Sequence, residues 1–495
     1  MLAPGGYGDN NGGSVCESNA PETGQTRLPP VLKTGTITGP HALPINDSNE
    51  MNITAAVQLV LAAKLESCVS MARAPAGDTL RGGEAGMRSW LMSTALVLSC
   101  GLAQAQAKYR VLYDFGAGGP TDAIYPNAGL IADERGNLYG TASGGLYGGV
   151  VFQLALQPTG RWKENILYNF CSVANCLDGI TPLAGLIWIN GNLYGTTLFG
   201  GAGQLGTVFE LSPPSVPGAE WSEKVLWSFC SNGGTCNYDG IKPQGKLVQD
   251  SSGNLYGTTP FGGPNNGGIV FELAANPDGS WTENILYSFG GSPDGSDPRA
   301  GLIFDLEGNL YGATEFGGDN TECQGGCGTV YQLSPNVGGG WTEKVIAKGQ
   351  GKQVNPFCDL SLDSQGNLYG TTEGGTFISA GGVFKLTRAA NWKAESFIFN
   401  NNDEGGQTPL AGVIAEDGVV YGTTYNGGSQ NSGTVFKITS AGETVLHNFC
   451  SLPSCQDGKG PYQGGLLLSD HAGHLFGTAY EGGMHNEGVV FEITP

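Results

Sequence analysis

Glu315 and Glu373 stand at the same place in successive sequence repeats, directly after Ala-Thr and Thr-Thr respectively. Two carboxyls held near one another can act as acid and base, as in glycoside cleavage, or ligate a cation. The same position holds Tyr425 and Tyr480 in later repeats and Ser143, Leu198 and Pro260 in earlier ones. Tyrosines there would offer a stacking surface for sugars. Phe199, Phe261 and Phe316 follow one residue on, and packing between repeats is the expectation for these. Glu315, Glu373, Tyr425 and Tyr480 are therefore the candidate ligand-binding residues. Glu315 and Glu373 are the candidate catalytic pair, against a plainer expectation that both are ordinary solvated loop carboxylates.

Other chemistry-bearing residues point to structure. Cys171/Cys176, Cys230/Cys236 and Cys450/Cys455 recur in equivalent loops, each after a Phe and before an Asp-Gly, and Cys323/Cys327 form a fourth close pair. Short recurring loops of this kind predict local disulfides in an oxidising compartment. Zinc would need four convergent ligands, and no Cys-x2-Cys or His partner accompanies them. Cys358 has no obvious partner in the sequence. His447, His471, His474 and His485 fall late in the chain. They divide between short turns and a long loop, so no metal site is expected. The Asp-x-x-Gly turns at Asp133–Gly136 and Asp250–Gly253 read as tight turns, since calcium wants about 6 to 8 oxygens. No P-loop, nucleophile elbow or zinc-protease helix is present, and no cofactor is expected.

These residues sit on a repeat. Asn-Leu-Tyr-Gly-Thr-Thr and its variants place aromatics at Tyr139, Tyr194, Tyr256, Tyr311, Tyr369, Tyr421 and Phe476, spaced 55, 62, 55, 58, 52 and 55 residues apart. Each copy carries four strand-like runs with alternating β-branched and aromatic residues, bounded by Gly, Asn and Asp. Seven copies of four antiparallel strands predict an all-β, seven-bladed β-propeller over 108–495, with a β-solenoid as the alternative. The last copy lacks its fourth run, and an orphan run at 108–115 precedes the first. The N-terminal strand is thus expected to complete the seventh blade. If the first run of each blade is innermost, the loops after the second and fourth strands share one face. The Asp-Gly-x-x-Pro segments, such as Asp178–Pro182, Asp239–Pro243, Asp294–Pro298 and Asp457–Pro461, belong to it, and long loops on one rim are where binding resides.

The chain has 495 residues, 84 of them Gly, with 14% charged and 39% hydrophobic. That excludes collagen, which needs a Gly every third residue, and global disorder. Residues 108–495 hold 17 basic and 36 acidic residues, a balance of −19. An acidic surface repels phosphate backbones, so nucleic acid is not an expected partner. Residues 87–107, MRSWLMSTALVLSCGLAQAQA, have the layout of a secretory signal peptide, with an apolar stretch too short to span a bilayer. Translation is expected to begin at Met87, which makes residues 1–86 an upstream extension or a disordered segment.

The stretches NLYGTTLFGG at 192–201 and GTVFEL at 206–211 resemble the GloVer-type tandem repeat of bacterial exported and surface proteins. The resemblance covers about 108–495. It implies an exported propeller-like protein and brings no established activity and no catalytic residues. Some relatives add a C-terminal surface anchor, and with the last repeat running to Pro495 none is expected here. The function expected is a noncatalytic binding module, secreted, periplasmic or on the cell surface. It is expected to be a monomer, with a polysaccharide, surface glycan or cell-surface protein as partner. The alternatives are a carbohydrate-active hydrolase or lyase and a structural envelope protein.

Overall fold

The computed structural model describes residues 107–495 except 217, 232–237, 320–322, 351–354, 357, 375–379, 400–404, 417, 463–464 and 470–472. The expected signal peptide and upstream extension, apart from Ala107, lie outside the described residues, as do Cys236 and His471.

Seven antiparallel sheets follow one another along the chain, each with a four-strand path; in the first, Ile124–Pro126 adds a fifth strand against Leu138–Gly144, beside Ile131–Ala132. In the fourth blade these are Ile303–Phe304, Leu310–Thr314, Thr329–Pro335 and Trp341–Lys348. The seventh blade takes Leu467–Ser469, His474–Ala479 and Val489–Thr494 from the end of the chain and Lys108–Asp114 from its start. Lys108 pairs with Thr494 and Asp114 with Val489, so the N-terminal strand closes the ring as the sequence leads one to expect. The protein is a seven-bladed β-propeller.

The repeat motif follows from packing. The aromatic of each second strand (Tyr, or Phe476 in the seventh blade) and of each third strand (Phe, or Tyr331 in the fourth) lies between blades. Tyr139 meets Trp188 of the next blade at 4.9 Å, and Phe170 meets Phe209 at 4.9 Å. The apolar core is therefore a series of layers between neighbours rather than one centre, with Tyr139, Val151, Leu167 and Phe170 buried against Leu186, Leu193, Phe209 and Leu211. The Gly of Leu-Tyr-Gly-Thr faces the third-strand ring. A Cβ on Gly140, Gly195, Gly257, Gly370, Gly422 or Gly477 would stand 2.5–2.7 Å from a Phe Cζ. The first Thr after it reaches the next blade: Thr141, Thr258, Thr371 and Thr478 donate to the carbonyls of Ala184, Ala300, Ala411 and Ala128 at 2.7–3.1 Å. The second Thr pairs within its own blade, as Thr197 with Thr207 and Thr314 with Thr329, both at 2.8 Å.

The disulfides Cys171–Cys176, Cys323–Cys327 and Cys450–Cys455 are formed. Cys230 is disulfide-bonded too. So is Cys358, which corrects the reading that left it unpartnered: its partner is not legible because no nearby cysteine marks it.

Candidate functional site

Each blade is reached through a segment ending X-Pro, where X is Tyr125, Thr181, Lys242, Asp297, Asn355, Thr408 or Gly460. All seven X residues have a left-handed backbone, with φ between 55° and 63°. Six are not glycine, and Thr181 and Thr408 are β-branched, for which this conformation is strained. The backbone hydrogen bonds explain why it is held. Every X donates its N–H to a carbonyl of the preceding blade at 2.6–2.9 Å, as Lys242 does to Leu205 and Thr408 to Ala380. In five blades its own carbonyl accepts from the N–H of the residue after the Thr-Thr pair: Leu198 to Thr181 and Glu315 to Asp297 (both 3.0 Å), Tyr425 to Thr408 (2.9 Å), Tyr480 to Gly460 (3.3 Å) and Glu373 to Asn355 (3.4 Å). These bonds set the X residue and the residue after the Thr-Thr pair opposite one another on one face. The Asp-Gly-x-x-Pro segments and the loops after the second strands do share a face, joined by two-residue ladders such as Gly295–Ser296 with Phe316–Gly317.

On one side of this ring the groups are charged. Arg299 Nε lies 2.6 Å from Glu315 Oε2, and its Nη2 lies 3.0 Å from Asp297 Oδ2. Glu315 is only 3% exposed, so it is not a solvated loop carboxylate. Burial pushes the Glu315 carboxyl up to about 7 against the pull of Arg299, with Asp297 and Glu373 raising it further. Burial likewise raises Glu373 to about 7, again opposed by Arg299. The two candidate glutamates thus share one cation and feel one another's charge. Arg299 also lies over the Phe261 ring at 5.7 Å, and Lys242 Nζ lies 4.8 Å from Phe199 and 6.0 Å from Phe261. Those two phenylalanines therefore meet cations from the next lead-in segments.

On the other side the groups are aromatic. Tyr425 contacts Tyr462 at 5.4 Å, Tyr462 contacts Tyr480 at 5.8 Å, and Tyr480 stacks on Tyr125 at 5.1 Å. The four rings run from the sixth blade across the seventh into the first, and each is partly exposed. Tyr425 and Tyr480 are brought together, while Glu315 and Glu373 form a separate group. Asp297, Arg299, Lys242, Tyr125 and Tyr462 were not singled out in the sequence. Aligning the seven copies on Pro126, Pro182, Pro243, Pro298, Pro356, Pro409 and Pro461 is the signal that finds the X residues.

The described histidines, His447, His474 and His485, have separate partners. His447 meets Asp457 at 3.1 Å, His474 meets Glu492 at 3.0 Å, and His485 meets Asp114 at 3.6 Å. Among the described residues no group of three or more His, Cys, Asp or Glu is placed to hold a metal ion.

The profile of the Gloeobacter/Verrucomicrobia repeat matches residues 225–394 and 360–495. The chain belongs to that family. Gloeobacter/Verrucomicrobia repeats in this chain keep the blade scaffold and vary the mouth. Their Asp-x-x-Gly turn explains the Asn and Tyr that follow it. Asp305 Oδ1 accepts the N–H groups of Glu307 and Asn309 at 3.0 and 2.8 Å, and Oδ2 accepts Asn309 Nδ2 and Tyr311 OH at 2.8 and 2.9 Å. Both oxygens are committed to the turn, and Asp133, Asp250 and Asp363 repeat the pattern.

No curated protein matches the chain. Solved structures similar to it include an ancestral GH74 enzyme, with 10% identity over 78% of this chain and 50% of that one, TM-score 0.48. A polysaccharide lyase, an ulvan lyase, aligns at 11% identity over 78% and 95% of the two chains, TM-score 0.41. A puromycin-hydrolysing peptidase of Mycobacterium tuberculosis aligns at 13% identity over 73% and 51%, TM-score 0.41. The chain spans half the length of the first of these.

Proposed function

We propose that this repeat protein is an exported, noncatalytic module that binds a polysaccharide or surface glycan across the tyrosine arc of its mouth. The observation that carries this reading is the unbroken chain of ring contacts from Tyr425 through Tyr462 and Tyr480 to Tyr125. Pyranose rings present C–H faces that stack on aromatic rings, and an arc drawn from three blades matches an extended chain better than a single small molecule. The acidic balance of −21 for the whole chain argues against nucleic acid as the partner. Disulfides support an oxidising compartment, and the segment at 87–107 supplies an export signal in this reading. Among the described residues no helix is long and apolar enough to cross a membrane.

A second reading rests on Glu315 and Glu373, whose carboxyls titrate near neutrality beside one cation. In that range a carboxyl can give and take a proton, as a glycan hydrolase or lyase requires.

One experiment separates the readings. The full chain, made in an oxidising compartment, is incubated with insoluble polysaccharides, and depletion and released sugar ends are read from the same tubes. Depletion without release, abolished by Tyr480→Ala and kept by Tyr480→Phe, supports the binding module. Release abolished by Glu315→Gln with Glu373→Gln supports the enzyme. Neither signal on any polysaccharide overturns both and leaves the structural envelope protein.

A further inference from the structure

Lys242 is a cation without a counter-charge at the mouth. It stands before Pro243, and its left-handed backbone, with φ 60°, is held by the N–H bond to the Leu205 carbonyl at 2.8 Å. From that fixed point its side chain lies between two blades. Nζ is 4.8 Å from the Phe199 ring of the second blade and 6.0 Å from the Phe261 ring of the third. No ion pair or hydrogen bond joins this ammonium to another described residue. Arg299 and Lys459, in the equivalent segments, are neutralised by Asp297 with Glu315 and by Glu481. Aromatic faces attract an ammonium but do not cancel its charge. Phe261 is 37% exposed, and Lys242 and Phe199 are partly exposed, so the group opens to solvent. Both rings are fixed by their backbones, since Ile180 pairs with Phe199 and Ile241 with Phe261. Two rings and one ammonium thus form a platform that offers a stacking face beside a point charge.

We infer that Lys242, Phe199 and Phe261 form a subsite for an acidic sugar. The ammonium takes the anionic substituent of one ring, a carboxylate or a sulfate ester, while Phe261 stacks on that ring's C–H face. The inference rests on the glycan-binding reading and adds the class of glycan. The tyrosine arc ends at Tyr125, in the segment leading into the first blade, and Phe199 belongs to the second, so the subsite continues the arc around the mouth. One ammonium on an acidic surface also sets how much charge the glycan carries. A chain charged on every ring is repelled by the remaining carboxylates, as nucleic acid is. A largely neutral glycan with a sparse acidic sugar gains the Lys242 contact and meets little of that repulsion. Lysine is a point charge without arginine's planar fork, so it accepts carboxylate and sulfate alike.

The test is calorimetric titration of the oxidised full chain with two matched pairs. One is glucuronoxylan oligosaccharides against their carboxyl-reduced counterparts, the other κ-carrageenan oligosaccharides against their desulfated counterparts. In at least one pair the acidic member is expected to bind about tenfold tighter than the neutral one, and the gain should shrink as salt rises. The pair that shows the gain identifies the anion. Lys242→Met keeps an apolar stem over the rings and removes the charge. It is expected to abolish the preference and leave the neutral member's affinity unchanged, whereas Lys242→Arg retains the preference. Tyr480→Ala is expected to weaken both members alike. The thermal midpoint of each variant guards against loss of fold. Equal binding within each pair, or a preference that survives Lys242→Met, overturns the inference and leaves the tyrosine reading standing. So does failure to bind all four while a neutral insoluble polysaccharide still depletes the chain. No binding to any glycan overturns both.

Discussion

Pro243 fills the space a side chain on Gly206 would need: a Cβ there would stand 2.5 Å from the proline Cδ and 2.6 Å from the Thr197 carbonyl oxygen. Gly206 precedes the third strand of the second blade, and Pro243 leads into the third. The relationship recurs around the ring, as Gly149 with Pro182, Gly268 with Pro298, Gly328 with Pro356, Gly381 with Pro409, Gly433 with Pro461 and Gly488 with Pro126. The last pair crosses the seam, so the closing blade is locked to the first by the same contact as every other pair.

That contact separates two roles of glycine. Gly206 and Gly308 both have positive φ, at 109° and 84°, but a Cβ on Gly308 would meet nothing within 4 Å. Gly308→Ala should cost only the backbone strain, about 1 kcal/mol. Gly206→Ala must also displace a neighbouring backbone carbonyl, so it should cost about 3 kcal/mol or more. Urea midpoints of the two variants check this. Equal losses would mean that the interlock between blades carries no energy.

The Asp-x-x-Gly turns make a second prediction. Asp363 accepts the N–H groups of Gln365 and Asn367, the Asn367 amide and the Tyr369 hydroxyl. Burial opposes its charge, but these donors prevail and hold its carboxyl below the usual range. Asp363→Ala should cost about 2–3 kcal/mol, because the Asn and Tyr donors lose their acceptor. Adding calcium to the wild type should leave its thermal midpoint unchanged, since both carboxylate oxygens are already used. A calcium-dependent rise would show instead that the turns bind cation.

Much of this was legible in the sequence, for a physical reason. Every blade must bury an aromatic of the second strand and one of the third against its neighbour, so rings such as Tyr311 and Phe209 recur at fixed places and the strands can be counted. The orphan strand at 108–114 is legible because its missing counterpart is. The site was legible only in part. Glu315 and Glu373 stand out as departures from the repeat, but their shared counter-charge, Arg299, does not. It is 16 residues before Glu315 in a different loop, and only the ladder of Gly295–Ser296 with Phe316–Gly317 brings the two together. Lys242 and Thr408 carry no mark of a left-handed backbone, because the interblade hydrogen bond imposes it on whatever side chain stands before the proline.

Acid should stabilise the propeller. Four fourth-strand glutamates face an aspartate of the segment leading into their own blade: Glu164 with Asp122, Glu223 with Asp178, Glu283 with Asp239 and Glu343 with Asp294. Burial first, and then the aspartate, raises Glu164 to about 9, Glu223 to about 8 and Glu343 to about 7, with Glu283 shifted in the same direction. Tyr113, Tyr168 and Tyr287 are the other titratable groups bonded to these aspartates. A folded pKa above the unfolded value stabilises fully at low pH and is lost as pH rises through the folded value. The depressed Asp133, Asp305, Asp363 and Asp457 act oppositely, losing their contribution in strong acid. The thermal midpoint should therefore peak in mild acid and fall between pH 6 and pH 9. Glu164→Gln with Glu223→Gln should flatten that fall, and a midpoint that rises steadily to pH 9 would sink the account.

Arg299 should prove to be the keystone of the charged arc. It is 12% exposed and bonded to Asp297 and Glu315, with Glu373 within reach of its charge. Arg299→Met leaves three carboxyls with no cation, two of them buried, and breaking such a pair costs about 3–5 kcal/mol. The loss should grow with pH above 7, because Glu315 and Glu373 then ionise unopposed. Replacing Glu315 by Gln in the same chain removes one of those charges, so the double variant should be more stable than Arg299→Met alone at pH 8. At pH 5, where both glutamates are protonated, the difference between the two should nearly vanish. A double-mutant cycle at both pH values measures this, with a coupling of about 1–3 kcal/mol expected at pH 8. A coupling independent of pH would mean that the three residues are held by packing and not by charge. The glutamates would then lose the neutral-range titration on which the catalytic reading depends.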